Sequence, residues 1–140
     1  MLKKKVVVKF KDGKIIKGWV GEFKPGRETF ILFPLFEYSQ DEQLVINFKE
    51  LKAVFFVKDF KGDHTYKKAR SFNIDMVITP TQRKIIVDFE DSEKLYGTCL
   101  TYGKFKKGFF VYPIDPKDNS ERIFVVHSAT KKIKLMEIEI

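Results

Sequence analysis

The sequence predicts an all-β protein built from two tandem, five-stranded antiparallel barrels. Three observations support this prediction. Short runs of β-branched and aromatic residues alternate with turn-forming residues every 6–12 positions, which is typical of small barrels. No segment carries the sustained 3.6-residue apolar period of a long helix. The same order of runs and turns occurs twice along the chain, at a constant offset that aligns Phe10 with Phe89.

This repeat offset holds without a gap over residues 6–56. Only 8 of these 51 positions have the same residue at the aligned position of the second half, but the apolar pattern matches better. The run FILF at 30–33 corresponds to FFVY at 109–112, and LVI at 44–46 corresponds to IFV at 123–125. A shared pattern of strands and turns over this length indicates a tandem duplication.

Turn residues divide the first half into five predicted strands. The turn KDG at 11–13 closes the first strand, because Gly readily takes a positive φ. Gly18 and Gly21 allow the second strand to bend, and KPGR at 24–27 follows it as a turn. The third strand stops at Pro34. The predicted strands cover residues 6–10, 14–23, 29–33, 44–48 and 53–57.

The second half repeats this plan from Lys84 to about Met136. Ser92 stands where the first half has Gly13, and Ser tolerates a positive φ poorly. We therefore expect a longer or different turn there. The tail alternates apolar and charged residues, which predicts that Ile133 and Leu135 face a core.

Residues between the two halves are rich in turn formers and poor in periodic apolar residues. We predict three regions: a first barrel at 1–57, a basic aromatic linker at 58–82 and a second barrel at 83–140. One short helical turn is expected near residues 65–70.

Two segments resemble the Sm-like branch of the SH3-like barrels: VVVKFKDGKIIKG at 6–18 and LVINFKELKAVFFV at 44–57. The opening is also similar to an uncharacterised bacterial family with a VxFxDGxxxxG…FP pattern in each half. The resemblance covers about 50 residues in each half. It implies a strongly bent five-stranded barrel in each half and makes RNA binding a candidate function.

The chain departs from the Sm-like pattern at both RNA-binding loops. Sm-like proteins carry an Asp and an Asn after the bent strand, whereas this chain has KPGRET at 24–29. Those proteins also carry a basic residue, Gly and Asp or Asn before the last strand. Here the corresponding turns are KEL at 49–51 and SAT at 128–130. The resemblance thus favours the fold and argues against the usual RNA pocket.

Charge is concentrated in the first half of the chain. Residues 1–70 carry 16 Lys and Arg against 9 Asp and Glu, and residues 71–140 carry 11 against 10, which gives a net charge of +8. A basic half suits a polyanionic partner. The alternative is a soluble surface rich in Lys and Glu, as in many heat-adapted proteins.

We expect a cytoplasmic protein with no membrane partner. No apolar run approaches the ~20 residues that a membrane-spanning helix needs. The N-terminal lysine cluster lacks the long apolar stretch and cleavage site of a signal peptide. The single Cys99 can form no internal disulfide.

The sequence contains no pattern for catalysis, a cofactor or a metal. His64 and His127 are the only histidines, and with Cys99 they do not form a metal-binding spacing. Asp12 and Asp91 recur at the same place in both halves, but Asp is a common turn residue whose side chain caps local amides. No glycine-rich loop precedes a helix. We expect no enzyme; an enzyme or small-ligand receptor is the least favoured of three functions.

The favoured function is a non-catalytic interaction module that binds a protein through a groove or an edge strand. The alternative is RNA or single-stranded DNA binding, in which cations contact phosphates and aromatic rings stack on bases. Edge strands also allow homo-oligomers. The candidate contacts are Lys58, Phe60, Lys61, Tyr66, Lys67, Lys68, Arg70, Lys104, Lys106, Lys107 and Trp19. The competing interpretation of residues 58–82 is a solvated linker whose aromatic side chains pack against the barrels. Trp19 has an alternative place in a core or in the contact between the halves.

Overall fold

Ten β-strands form one antiparallel sheet, which confirms the all-β prediction. The structure, a computed structural model, describes residues 3–35, 42–62, 82–100, 102–103, 106–115 and 117–136. The strands are β1 (Lys4–Phe10), β2 (Ile15–Val20), β3 (Thr29–Pro34), β4 (Leu44–Asn47), β5 (Leu51–Val57), β6 (Arg83–Phe89), β7 (Lys94–Cys99), β8 (Gly108–Pro113), β9 (Ser120–Val126) and β10 (Thr130–Met136). Two 3-10 turns, Phe48–Glu50 and His127–Ala129, precede β5 and β10.

The order of the strands in the sheet is β10-β6-β7-β8-β9-β5-β1-β2-β3-β4. The sheet is open: in the described ranges, β4 pairs only with β3 and β10 only with β6. The predicted closure into two barrels is therefore not observed. The physical reason is that β5 and β9 pair with each other. The second side of β5 is therefore not available to β4, and the second side of β9 is not available to β10.

Strand pairs in the first half recur in the second half at the repeat offset. Val6 lies opposite Gly18 on one side and Phe56 on the other. Ile85 likewise lies opposite Gly97 and Leu135. The two halves therefore share strand order and register, although few of their residues are identical.

Glycine permits a close approach between β2 and β3. A Cβ atom on Gly18 would lie 2.3 Å from the carbonyl oxygen of Phe33. A Cβ atom on Gly97 would lie 2.5 Å from the carbonyl oxygen of Tyr112. β2 is shorter than predicted, because it ends at Val20 and not at residue 23.

The first turn of each half has the same geometry, so the prediction of a different turn at Ser92 was wrong. Ser92 has a φ of +74° and Gly13 a φ of +93°. Asp12 Oδ1 accepts a hydrogen bond from the Lys14 amide at 2.9 Å. Asp91 Oδ1 accepts the corresponding bond from the Glu93 amide at 3.0 Å. This confirms the predicted turn role of both aspartates.

Two apolar cores lie along the sheet, and each contains residues from both halves. The first-half core consists mainly of β1–β5 residues but includes Phe124 and Val126 of β9. The second-half core consists mainly of β6–β10 residues but includes Ala53, Phe55 and Val57 of β5. The packing of each half is thus completed by a strand of the other.

Of the predicted linker at 58–82, the structure describes residues 58–62 and 82. The helical turn expected near residues 65–70 lies outside the described residues.

Candidate interaction surfaces

The junction between β5 and β9 joins the two halves of the chain. Val54 lies opposite Phe124, and Phe55 lies opposite Ile123. Every residue of β5 is buried, because one face of the strand packs in the first-half core and the other in the second-half core. The continuous apolar run AVFFV matches this two-sided burial.

Aromatic rings fill the first-half side of the junction. The Phe23 ring lies 6.2 Å from Phe110 and 5.5 Å from Phe124, centroid to centroid. The Arg122 guanidinium lies 4.4 Å from the Phe56 ring and 4.6 Å from the Phe110 ring. Ring pairs and cation–π contacts of this kind add to the free energy gained by apolar burial. Side chains of β8 and β9 therefore complete an aromatic cluster of the first half.

Lys52 adds an ion-pair cluster across the same junction. Its Nζ lies 2.6 Å from Asp91 Oδ2 and also contacts the Glu93 carboxylate. Burial opposes the charge of Lys52, but the hydrogen bonds and charges of the two carboxylates outweigh burial and raise the pKa of Lys52. The hydrogen bond from Lys52 lowers the pKa of Asp91. The cluster connects β5 to the turn between β6 and β7.

The β4 edge of the sheet carries an exposed apolar pair. Ile31 on β3 lies opposite Val45 on β4, and these residues are 36% and 68% exposed. Their counterparts at the repeat offset, Phe110 and Phe124, form the same cross-strand pair but are covered by Phe23 at the junction. Exposed apolar side chains beside a backbone edge favour addition of another strand.

A groove of about 510 Å³ adjoins this apolar pair. Ile31 and Phe33 contribute apolar lining, and the Lys3 ammonium lies 3.9 Å from the Phe33 ring. Lys24 forms a 2.7 Å ion pair with Glu22 at the rim. An apolar surface with charged surroundings suits a partner segment that presents a large apolar side chain.

The β10 edge combines lysines with an exposed aromatic ring. Lys131, Lys132 and Lys134 are exposed along the strand. Tyr102, in the loop after β7, is 37% exposed and packs 5.7 Å from His127, which lies in the turn before β10. Edge lysines hinder unspecific strand pairing. We therefore expect the β10 edge to accept fewer kinds of partner strand than the β4 edge.

A second groove, of about 390 Å³, contains part of the predicted contact set. Lysine and phenylalanine residues in its lining are Lys9, Lys17, Lys61, Lys117, Phe55 and Phe60. The Phe60 ring packs edge-on against Trp19 at 5.1 Å, and Lys17 Nζ donates a 2.7 Å hydrogen bond to the Phe60 carbonyl. The structure thus brings Trp19, Phe60 and Lys61 together in a basic, partly aromatic region.

Other predicted contacts lie apart from this groove or outside the described residues. Lys58 is exposed directly after β5, and Lys106 is exposed just before β8. Lys107 donates a hydrogen bond to the Arg27 carbonyl, and its Nζ lies 5.6 Å from the Phe48 ring, so it contributes to contacts between the halves. Tyr66, Lys67, Lys68, Arg70 and Lys104 lie outside the described residues.

Sequence reasoning missed the apolar pair at the β4 edge and its covered counterpart at the junction. A signal was present in the two closing strands. β5 has the sequence LKAVFFV and β10 has TKKIKLM. A strand that is apolar on both faces is expected to be buried on both sides, whereas a strand that alternates apolar and charged residues is expected to have one exposed face. Comparison of these strands would have identified β5 as internal and β10 as an edge.

Within the described ranges, no group of three His, Cys, Asp or Glu side chains is placed to hold a metal ion. In the same ranges, no helix has both the length and the apolar character required to cross a membrane.

A family profile, described as a family of unknown function (DUF6982), matches residues 2–137. Searches among curated proteins and among solved structures give no significant match. The match covers nearly the whole chain and includes both halves.

Proposed function

The chain belongs to DUF6982, a family of unknown function, and from its surfaces we propose that it is a non-catalytic module that binds a protein partner. The partner contributes an extended segment that adds to a free edge of the sheet. In this mode, backbone hydrogen bonds provide affinity, and alternate side chains enter neighbouring pockets.

The observation that carries this proposal is the exposed pair of Ile31 and Val45 beside the β4 edge. At the internal junction, β5 pairs with β9, and the loop residue Phe23 of the first half covers the corresponding pair, Phe110 and Phe124. The protein therefore already contains one example of the contact that we propose for the free edge.

We further propose that the halves are two copies of a five-stranded, Sm-like unit of the SH3-like class. Support comes from the shared strand order and from register pairs that recur at the repeat offset, such as Val6 with Phe56 and Ile85 with Leu135. A cytoplasmic location accompanies this proposal, since the lone Cys99 is a buried thiol outside any disulfide.

The β4 edge can be tested by affinity capture with two matched variants. Immobilised wild-type protein and Val45→Asp are compared with Ile15→Asp. Ile15 is an equally apolar, 54% exposed residue on β2 that lines the basic groove and not the groove at the β4 edge. We expect wild type and Ile15→Asp to retain a protein that Val45→Asp loses. The carboxylate introduced on β4 would lose its water when the partner strand is added, and it would gain no opposite charge in return.

The captured protein is then purified and used in amide hydrogen exchange. Binding should slow exchange in β4, because its free backbone groups gain hydrogen bonds. Equal capture by all three proteins would contradict the proposal, and so would capture of none together with no self-association of the chain.

The basic groove supports nucleic-acid binding as a second candidate function. Its Lys17 and Lys61 lie beside the aromatic ring of Phe60. Filter retention of single-stranded RNA and DNA should then fall steeply with salt and with a Lys17→Ala, Lys61→Ala double variant, but not with Lys132→Ala on β10. Absence of retention at low salt would exclude this function.

A further inference from the structure

We propose that the partner at the β4 edge is a second copy of this chain, whose β10 strand pairs with β4 in antiparallel orientation. This inference rests on the proposed function, because it requires a sheet edge that accepts a strand.

The internal junction supplies the template for this contact. It joins β5 of the first half to β9 of the second half. At the repeat offset, β5 corresponds to β10 and β9 corresponds to β4, which are the two edge strands of the sheet in the described part of the chain. Each end of the molecule thus carries one side of a contact that its centre already makes. Because these edges lie at opposite ends of the sheet order, a second copy can bring them together.

An aromatic cluster around Tyr102 lies at the β10 end, and it matches the cluster around Phe23 at the internal junction. The Tyr102 ring lies 5.2 Å from Phe109 and 5.7 Å from His127. In the first half, Phe23 occupies the same position, 5.1 Å from Phe30 and 5.4 Å from its other neighbour, Phe48. The two clusters therefore match within a few tenths of an ångström.

The two clusters differ in what covers them. Phe110 and Phe124 cover Phe23 at the junction, whereas Tyr102 is 37% exposed. The residues that correspond to Phe110 and Phe124 are Ile31 and Val45, exposed at the other end of the sheet. Both partners of the missing contact are therefore apolar and accessible.

The junction also fixes the register of the proposed pairing. Val54 opposite Phe124 corresponds to Ile133 of one copy opposite Val45 of the next. The neighbouring pair of Phe56 and Arg122 corresponds to Leu135 opposite Gln43, an apolar residue beside a polar one of similar length.

Charges at this register are complementary at two positions. The ion pair of Lys52 and Asp91 corresponds to Lys131 of one copy beside Asp12 of the next, whereas the contact of Lys52 with Glu93 corresponds to Lys131 beside Lys14, a pair of like charges. The hydrogen bond from Lys11 to Ser128 corresponds to Glu90 beside Lys49. Two of these three charge contacts are attractive, so on balance they favour this register.

One face of the contact is weaker than its template. Lys132 and Lys134 take the positions that Ala53 and Phe55 occupy at the junction. Their ammonium groups must stay in water while their aliphatic stems pack. We therefore expect reversible, concentration-dependent association. Since the contact joins unlike edges, it can repeat and produces rings or open chains.

Head-to-tail pairing is tested with two variants, each of which is blocked at one end of the sheet. Val45→Asp blocks the β4 edge and Tyr102→Asp blocks the β10 end, while the exposed Ile15→Asp serves as a control away from both. In analytical ultracentrifugation of the full chain, wild type and Ile15→Asp should associate as concentration rises toward about 0.5 mM. Each blocked variant should raise the dissociation constant at least about tenfold.

A mixture of the two blocked variants gives the decisive result. One intact β10 end and one intact β4 edge remain, so the mixture should form heterodimers and no larger species. Circular dichroism confirms that each variant is folded. Dimers formed by Tyr102→Asp alone would show that β4 pairs with β4 and would overturn the inference.

Monomeric wild type over the whole concentration range would also overturn it. In that case, loss of another captured protein by Val45→Asp would leave the proposed function standing. If Val45→Asp changes neither self-association nor capture, both proposals fail.

Discussion

Ser92 shows how local hydrogen bonds can hold a residue in an unfavourable conformation. Its φ of +74° costs an ordinary L-residue about 1–2 kcal/mol. The Ser92 amide donates a 3.0 Å bond to the Phe89 carbonyl, and Asp91 Oδ1 accepts from the Glu93 amide. Residue preference alone predicted a different turn, because it does not count these bonds. The aspartate turn role was predictable, because it depends on nearby atoms.

Lys52 gives a prediction at the residue scale, since its counterpart Lys131 is an exposed control at the equivalent position. Lys52→Met should lower the free energy of unfolding at pH 7 by roughly 1–2 kcal/mol, whereas Lys131→Met should change it by less than about 0.5 kcal/mol. The estimate is modest because Asp91 is 53% exposed and its pairing is screened by water. Urea denaturation of dilute protein measures both values.

The pH dependence of the Lys52 effect follows from the directions of the two pKa shifts. The pKa of Asp91 is lowered from 3.8, so its contribution is present above that pH and is lost as pH falls through the lowered value. The pKa of Lys52 is raised from 10.5, so its contribution is lost only as pH rises through the raised value. The difference between wild type and Lys52→Met should thus be largest near neutral pH. A difference that persists unchanged at strongly acidic pH would contradict the ion-pair explanation.

At the scale of elements, strands and turns were predictable, but the partner of each strand was not. Alternation and turn residues depend on nearby positions, so they locate β1, β3 and β6 within a few residues. The pairing of β5 with β9 joins residues far apart in the chain, and no local pattern specifies it. The sequences of β5 and β10 indicate which of the two is internal, but nothing in the sequence of β3 or β4 distinguishes Ile31 and Val45 from core positions.

Gly18 gives a prediction at the element scale. Gly18→Ala places a methyl group 2.3 Å from the Phe33 carbonyl oxygen, which forces β2 and β3 apart. We expect a loss of roughly 2–3 kcal/mol in the free energy of unfolding, measured by chemical denaturation. Gly26→Ala is the matched control, because its added methyl group meets nothing within 4 Å. An equal effect of both substitutions would mean that close strand approach is not the reason for Gly18.

On the scale of the whole molecule, shared cores join the two halves into one folding unit. Phe124 belongs to the second half in sequence but is fully buried in the first-half core. Phe55 belongs to the first half but packs in the second-half core. Separation of the halves would expose both side chains, in addition to breaking the pairing of β5 with β9. Neither half therefore retains its complete core when the other unfolds.

We consequently expect one cooperative unfolding transition, and the chain has a natural probe in each half. Trp19 is half-buried on β2, so its fluorescence reports on the first half, and the thiol of Cys99 is fully buried on β7 and reports on the second half. Fluorescence and thiol labelling should give coincident urea midpoints. Phe124→Ala should lower the free energy of unfolding by about 3–5 kcal/mol and shift both midpoints together, because the lost ring supports a core of the other half. Two separate midpoints, or a shift confined to one probe, would show that the halves fold independently and that the junction between β5 and β9 contributes little to either core.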